Sequence, residues 1–90
     1  MQTARRYVVR GYVQGVGFRW FVEHAANALG LRGWTRNLDD GSVEVYAVGN
    51  PEQHDELAAR LWKGPSAARV EGVEQKEAAL EKLSGFSIRH

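Results

Sequence analysis

Cysteine is absent from this chain of 90 residues. That excludes a disulfide framework, a thiolate nucleophile and any cysteine-based zinc site, and it fits a reducing, cytoplasmic setting. Proline occurs only twice, and no linker, repeat or low-complexity stretch divides the chain. No apolar run approaches the roughly 18 residues that a membrane span needs, so no membrane partner is expected. The polar start, Met1 to Arg6, runs directly into a strand-like pattern, and no secretory leader is expected. The length is too small for a two-domain enzyme or for a barrel of about 200 residues. A single domain spanning 1–90 remains. Its 43% apolar and 26% charged residues are a globular mix.

A large charge of one sign is also missing. The net charge of +1 is too small to argue for nucleic acid. The charge is nevertheless unevenly spread. Residues 1–36 carry Arg5, Arg6, Arg10, Arg19, Arg32 and Arg36 against the single acid Glu23, whereas residues 37–90 carry ten acidic residues against six basic ones. Unless folding averages this out in space, an anionic ligand belongs with the first half.

Residues 5–13 alternate with a period of two and read as a strand. Gly15-Val16-Gly17 breaks it. From about Trp20 to Leu29 the apolar residues fall at helical spacing, with Gly30 as the stop. Residues 31–37 and 42–48 read as two strands of a hairpin around a Leu38-Asp39-Asp40-Gly41 turn. Asn50 is a helix cap, Pro51 occupies the first helical position and Gln53 completes a capping box. Leu57, Ala58, Leu61 and Trp62 are the expected buried stripe, and Gly64-Pro65 ends the helix. Residues 69–76 read as a weaker strand that slips at Gly72, as a bulge would, and residues 86–88 as a short closing strand. The order βαββαβ plus a final strand predicts a ferredoxin-like α+β sandwich, an antiparallel sheet with two helices on one face. That fold hosts many functions and by itself decides none.

The segment Gly11 to Arg19 has the chemistry of an anion site. Glycines let backbone N–H groups converge on one point. The first turn of the following helix adds unpaired N–H groups and a positive dipole end. Arg19 adds a forked cation that matches two phosphate oxygens. The alternative is a plain glycine turn beside a surface arginine. Known nucleotide motifs do not fit. There is no Gly-Lys-Ser/Thr, and Trp20 stands where the dinucleotide fingerprint needs glycine. The aromatics around Gly17 enter a helix rather than lying on a strand, unlike those of an RNA-recognition module. In the second segment, Asn37 ends a strand just before a turn. Its amide can hold a water by accepting one hydrogen bond and donating another, or it simply starts the turn.

Residues 9–19, Val-Arg-Gly-Tyr-Val-Gln-Gly-Val-Gly-Phe-Arg, resemble the first signature of the acylphosphatase family. Residues 33–49, from Gly33-Trp34 through Asn37, Gly41 and Val43 to Gly49, are similar to the second, with a departure at Thr35, where the family usually has a small apolar residue. The resemblance spans the chain in length, order and topology. It implies a hydrolase needing neither metal nor cofactor, which splits a small acyl phosphate into carboxylate and inorganic phosphate. It implies that Arg19 binds the phosphoryl group and Asn37 orients the attacking water. The loop Gln14, Gly15, Val16, Gly17, Phe18 and Arg19 would cradle the phosphate. Such chemistry is physically reasonable, because a carboxylate leaves readily and positioning plus electrostatic stabilisation dominate phosphoryl transfer.

The remaining residues read more plainly. His24, His54 and His90 have no ligand spacing and are expected at the surface or in packing. Asp39-Asp40 is expected in a solvated turn, Trp20, Trp34 and Trp62 in core or edge packing, and the acids from Glu71 to Glu81 along a solvated edge. The expected protein is a cytoplasmic monomer without a nucleic-acid partner. Two other readings stand beside it. One is an acylphosphatase-like fragment of a larger carbamoyl-transfer maturation protein. The other is a non-catalytic ferredoxin-like module that binds RNA or protein through paired aromatics on an exposed sheet face.

Overall fold

Seven elements follow one another along the chain, and the computed structural model describes all of residues 1–90. They are β1 (Thr3–Tyr12), α1 (Phe18–Leu29), β2 (Arg32–Asn37), β3 (Val43–Gly49), α2 (Pro51–Lys63), β4 (Arg69–Ala78) and β5 (Phe86–Arg89). The strands form one sheet in the order β4-β1-β3-β2-β5. The expected antiparallel core is present in β4, β1, β3 and β2. The closing strand β5 joins β2 in parallel, which makes the sheet mixed. Neither helix is long and apolar enough to cross a membrane.

Period-two alternation sets the two faces of the sheet. Tyr7, Val9 and Val13 from the β1 segment and Val43, Val45 and Ala47 from β3 point into the main core, where Phe18, Val22, Ala25, Ala26, Leu57 and Leu61 of the two helices meet them. Both helices therefore cover the same face. The α2 stripe differs from expectation at one position. His54, Leu57 and Leu61 are buried, while Trp62 is 52% exposed. The spacing of three and four fixes the inward direction, and Trp62 lies about 100° further round the helix than Leu61.

His54 fills its place in the core as a polar residue with both ring nitrogens used. Its Nε2 faces the Thr3 carbonyl at 2.9 Å, which requires a donor, and its Nδ1 meets the Tyr7 hydroxyl at 2.6 Å. The neutral ring satisfies both contacts. Burial lowers the His54 pKa and raises that of Tyr7 to about 12.

The bulge expected near Gly72 is present. Arg10 pairs with Gly72 and Gly11 with Val70, leaving Glu71 as the extra residue. Gly11 sits at the shift with φ 128°, and a side chain there would run into the Arg69 carbonyl oxygen at 2.1 Å. The exposed acids of β4 occupy a sheet edge, as expected.

The second face of the sheet carries a smaller cluster of Ala4, Trp34, Tyr46 and Val48. Trp34 and Tyr46 stack with ring centroids 5.6 Å apart, but both are buried. The Arg89 guanidinium lies 4.7 Å from the Trp34 ring centre, and Arg36 lies at 5.4 Å. The Tyr46 hydroxyl donates to the Ala79 carbonyl at 2.5 Å and accepts from the Glu81 amide. The segment after β4 thus covers the aromatic pair, and no open aromatic platform remains there. Beside it, Glu44 is buried between Arg6 and Arg36 and accepts from the Nε of each. Burial alone would raise the Glu44 pKa, but the two guanidinium groups more than offset that and hold it below the usual carboxylate range.

The lowered pKa values of His54 and Glu44 act in the same direction in pH, and the raised value of Tyr7 acts in the opposite one. A group whose folded pKa is depressed stabilises the fold above its unfolded pKa, and that contribution is lost as pH falls through the folded value. Stability is expected to be flat from about pH 6.5 to about pH 9 and to fall above that as unfolded-state tyrosine ionises while buried Tyr7 keeps its proton. Below about pH 6.5 it declines as unfolded-state histidine takes up protons, and below about pH 4.5 it declines further as Glu44 follows. Thermal melts across this range check the order. In His54→Gln the decline between about pH 6.5 and 5 should largely disappear, and its persistence would remove His54 as the cause.

Candidate active site

Helix α1 begins without a side-chain cap. Gly17 at the N-cap position has φ 77° and ψ 21°, no side chain accepts from the first-turn amides, and no acidic residue occupies that turn. Gly15 also has a positive φ, 75°. Glycine adopts this conformation without the steric cost that other residues incur. The two glycines turn the chain sharply from β1 into α1 and leave N–H groups of the turn and helix start unpaired. Helix α2 provides the contrast. Asn50 Oδ1 accepts from the Gln53 amide at 2.8 Å, Gln53 Oε1 accepts from the Asn50 amide at 2.7 Å, and Pro51 removes one donor altogether. One helix start is closed by its own sequence, and the other is open.

The open start faces a cleft of about 320 Å³ lined by Val13, Gly15, Gly17, Phe18, Arg19, Trp20, Asn37, Ile88 and His90. Buried Val13 and Phe18 contribute its apolar base. No Asp or Glu side chain lines it, and the positive end of the helix dipole and Arg19 both act on it.

Arg19 is held at one end. Its Nη1 donates to the Arg89 carbonyl at 3.2 Å and to His90 Nδ1 at 3.1 Å. A guanidinium has five N–H donors in a planar fork, and this tether leaves those on Nε and Nη2 without a protein partner. The tether comes from strand alternation in β5. Ile88 pairs with Thr35 and, like His90, lies on the helix side, while Arg89 turns to the opposite face over Trp34.

Asn37 enters from the end of β2. The turn after it is closed without its side chain. The Leu38 amide donates to the Ser42 carbonyl, the Gly41 amide donates to the Leu38 carbonyl, and Asp40 Oδ1 accepts from both the amide and the hydroxyl of Ser42. Asp40 also pairs with Arg10 at 3.3 Å. The Ser42 hydrogen bonds, with Arg10 behind them, lower the Asp40 pKa. Asp40 thus holds the turn, and the Asn37 amide is left to line the cleft.

The expected site residues separate into two groups. Gly15, Gly17, Phe18, Arg19 and Asn37 line the cleft together, whereas Gln14 and Val16 do not. Gln14 Nε2 instead donates to the Leu38 carbonyl at 2.8 Å and to the Ser42 carbonyl at 2.9 Å, bracing the glycine loop against the β2–β3 turn. Val16 packs against the main core. Trp20, Ile88 and His90 also line the cleft, and no motif in the sequence marks them for it. The Trp20–Arg19 adjacency was visible in the chain, but the return of residues 88–90 to this end of the sheet depends on β5 pairing with β2. Thr35, the departure within the second motif, is buried and its hydroxyl donates to the Glu44 carbonyl at 2.8 Å. The departure is therefore absorbed within the β2–β3 ladder, and Thr35 does not line the cleft. No group of three or more His, Asp or Glu side chains is placed to hold a metal ion.

A family model described as Acylphosphatase matches residues 5–88. The acylphosphatase of Solibacter usitatus is 56% identical over 86 residues, covering 96% of this chain and 90% of that protein. The crystal structure of acylphosphatase from Bacillus subtilis superposes with a TM-score of 0.94 at 36% identity, with 100% of each chain covered. The fold also occurs inside a larger chain. The crystal structure of T. kodakarensis HypF matches with a TM-score of 0.84 at 33% identity, and all of this chain corresponds to 12% of that one.

The bracing role of Gln14 has a measurable consequence. Gln14→Ala loses two partly buried hydrogen bonds, which should lower unfolding free energy by about 1–2 kcal/mol in urea titrations. Asn37→Ala should shift the same midpoint far less. Equal losses in the two variants would return Asn37 to the turn.

Proposed function

This chain belongs to the acylphosphatase family, and from that premise we propose which of its parts split the carboxyl–phosphate bond. The Gly15–Arg19 amides and the free edge of Arg19 bind the phosphoryl oxygens, and Asn37 holds the attacking water. One observation carries this assignment. The uncapped start of α1, a guanidinium tethered only through Nη1, and an amide unused by its own turn line the same cleft.

The chemistry follows from charge. A phosphoryl group in flight spreads negative charge over its equatorial oxygens, and catalysis consists mainly of holding those oxygens and aligning nucleophile and leaving group. Fixed amides, a dipole end and a forked cation meet that need without reorganising during reaction. The Asn37 side-chain oxygen accepts from the water, and its NH₂ group donates to a phosphoryl oxygen. The P–O bond to the acyl oxygen breaks as the water oxygen attacks phosphorus. A phosphoryl oxygen takes the water's proton, and the acyl oxygen leaves as a carboxylate that needs no acid. Positive charge is supplied by Arg19 and the helix start, so we assign no step to a metal ion or cofactor. The substrate is a small acyl phosphate, and inorganic phosphate is one product.

We further propose that the protein acts as a cytoplasmic monomer without a nucleic-acid partner. The lack of cysteine supports the compartment, and the burial of Trp34 and Tyr46, which would otherwise offer bases a stacking surface, supports the absence of a nucleic-acid partner.

Two substitutions test the assignment by phosphate release from acetyl phosphate in the presence of EDTA. Arg19→Lys retains charge but loses the paired edge. Its turnover should fall at least about a hundredfold, in line with the roughly 3–4 kcal/mol cost of a lost transition-state donor. Near-normal turnover in the folded variant would remove Arg19 from the site. Asn37→Ala should collapse kcat while competitive inhibition by inorganic phosphate changes little, the pattern of an interaction made chiefly in the transition state. Retained kcat would assign the water to another group.

A further inference from the structure

Trp20 is 60% exposed although it lines the cleft directly beside Arg19. Its ring is not loose. It packs on His24, one helical turn further along α1, with ring centroids 3.9 Å apart and planes inclined by 37°. That contact covers part of the indole and leaves the rest at the cleft. Ile88, half-buried on the helix side of β5, lines the same cleft. The phosphoryl-binding reading accounts for Gly15, Gly17, Arg19 and Asn37, but it gives these two apolar side chains nothing to do. A cleft of about 320 Å³ lies at the small end of ligand-pocket sizes and holds more than a phosphoryl group.

We propose that Trp20 and Ile88 form the wall against which the acyl group rests, and that a flat, apolar acyl group such as an aromatic ring gains more from contact with Trp20 than a methyl group does. This rests on the assignment of the phosphoryl site to Arg19 and the Gly15–Arg19 loop. With the phosphoryl group held there, the acyl end must leave through the remaining walls of the cleft, and two of those walls are apolar. An indole offers an aromatic acyl group a stacking surface and gives much less to a methyl group.

The test compares kcat/KM for benzoyl phosphate and acetyl phosphate in the parent protein, Trp20→Ala and Trp20→Phe. Taking the ratio within each protein cancels losses common to both substrates. Trp20→Ala should lower the benzoyl-to-acetyl ratio roughly fivefold to tenfold, and Trp20→Phe should keep most of it. Inhibition by benzoylphosphonate and acetylphosphonate, which cannot be hydrolysed, should shift in the same proportion. An unchanged ratio in Trp20→Ala, or a loss in Trp20→Phe as complete as in Trp20→Ala, would overturn the acyl wall. A parent protein that hydrolyses neither substrate would overturn the phosphoryl-site assignment instead, and the acyl wall with it.

Discussion

The start of α1 is the constraint on which the site depends. A helix leaves its first N–H groups unpaired, and most sequences close them with a side chain. This chain does so at α2 with Asn50 and Gln53, and omits it at α1, where two glycines with positive φ make the turn. The unpaired donors represent a cost to the empty protein that a bound anion removes. The base of the cleft is correspondingly firm. Phe18 and Val22 anchor the first turns of α1 in the core, so the donors are fixed in place although they face solvent.

The sheet supplies the rest of the geometry. Asn37 and residues 88–90 reach the cleft because β2 and β5 run parallel and end at the same edge. On the opposite face, Glu44 is enclosed by Arg6 and Arg36, and Arg10 is engaged by Glu74 and Asp40. Three of the arginines that make the first half of the chain basic are thereby spent on partners away from the cleft. Arg19 meets only a carbonyl and an imidazole. The positive field available to a ligand is therefore narrower than the arginine count of the first half implies, and it centres on one guanidinium and one helix end.

Local signals in the sequence carried much of this. The Asn50-Pro51-Gln53 helix start, the hairpin around Gly41 and the slip near Gly72 are each written in adjacent residues, and each appears in the structure. The glycine loop and Arg19 were legible for the same reason. What the sequence concealed depends on distant contacts. Trp62 looked inward by apolarity, yet His54 takes that face because Tyr7 and the Thr3 carbonyl, some 50 residues away in sequence, satisfy its ring. The Gln14 side chain bonds two carbonyls of the β2–β3 turn, a bracing contact between segments distant in sequence that no local pattern announces. His90 and Ile88 could be placed in the cleft only once the β2–β5 pairing was known, since four residues of strand carry no signal for the partner they choose.

The central claim is that unpaired amides at the start of α1 and the free edge of Arg19 together bind phosphoryl oxygens. Amide-resolved NMR during a titration with inorganic phosphate at constant ionic strength tests it most directly. The account predicts saturable shifts concentrated in the amides of Gly15 to Arg19 and in the Arg19 Nε–H, with the Asn50–Gln53 start of α2 unaffected. Saturable shifts centred instead on the groove lined by Arg6, Arg10 and Lys76, or no saturable response at Gly15–Arg19, would contradict it.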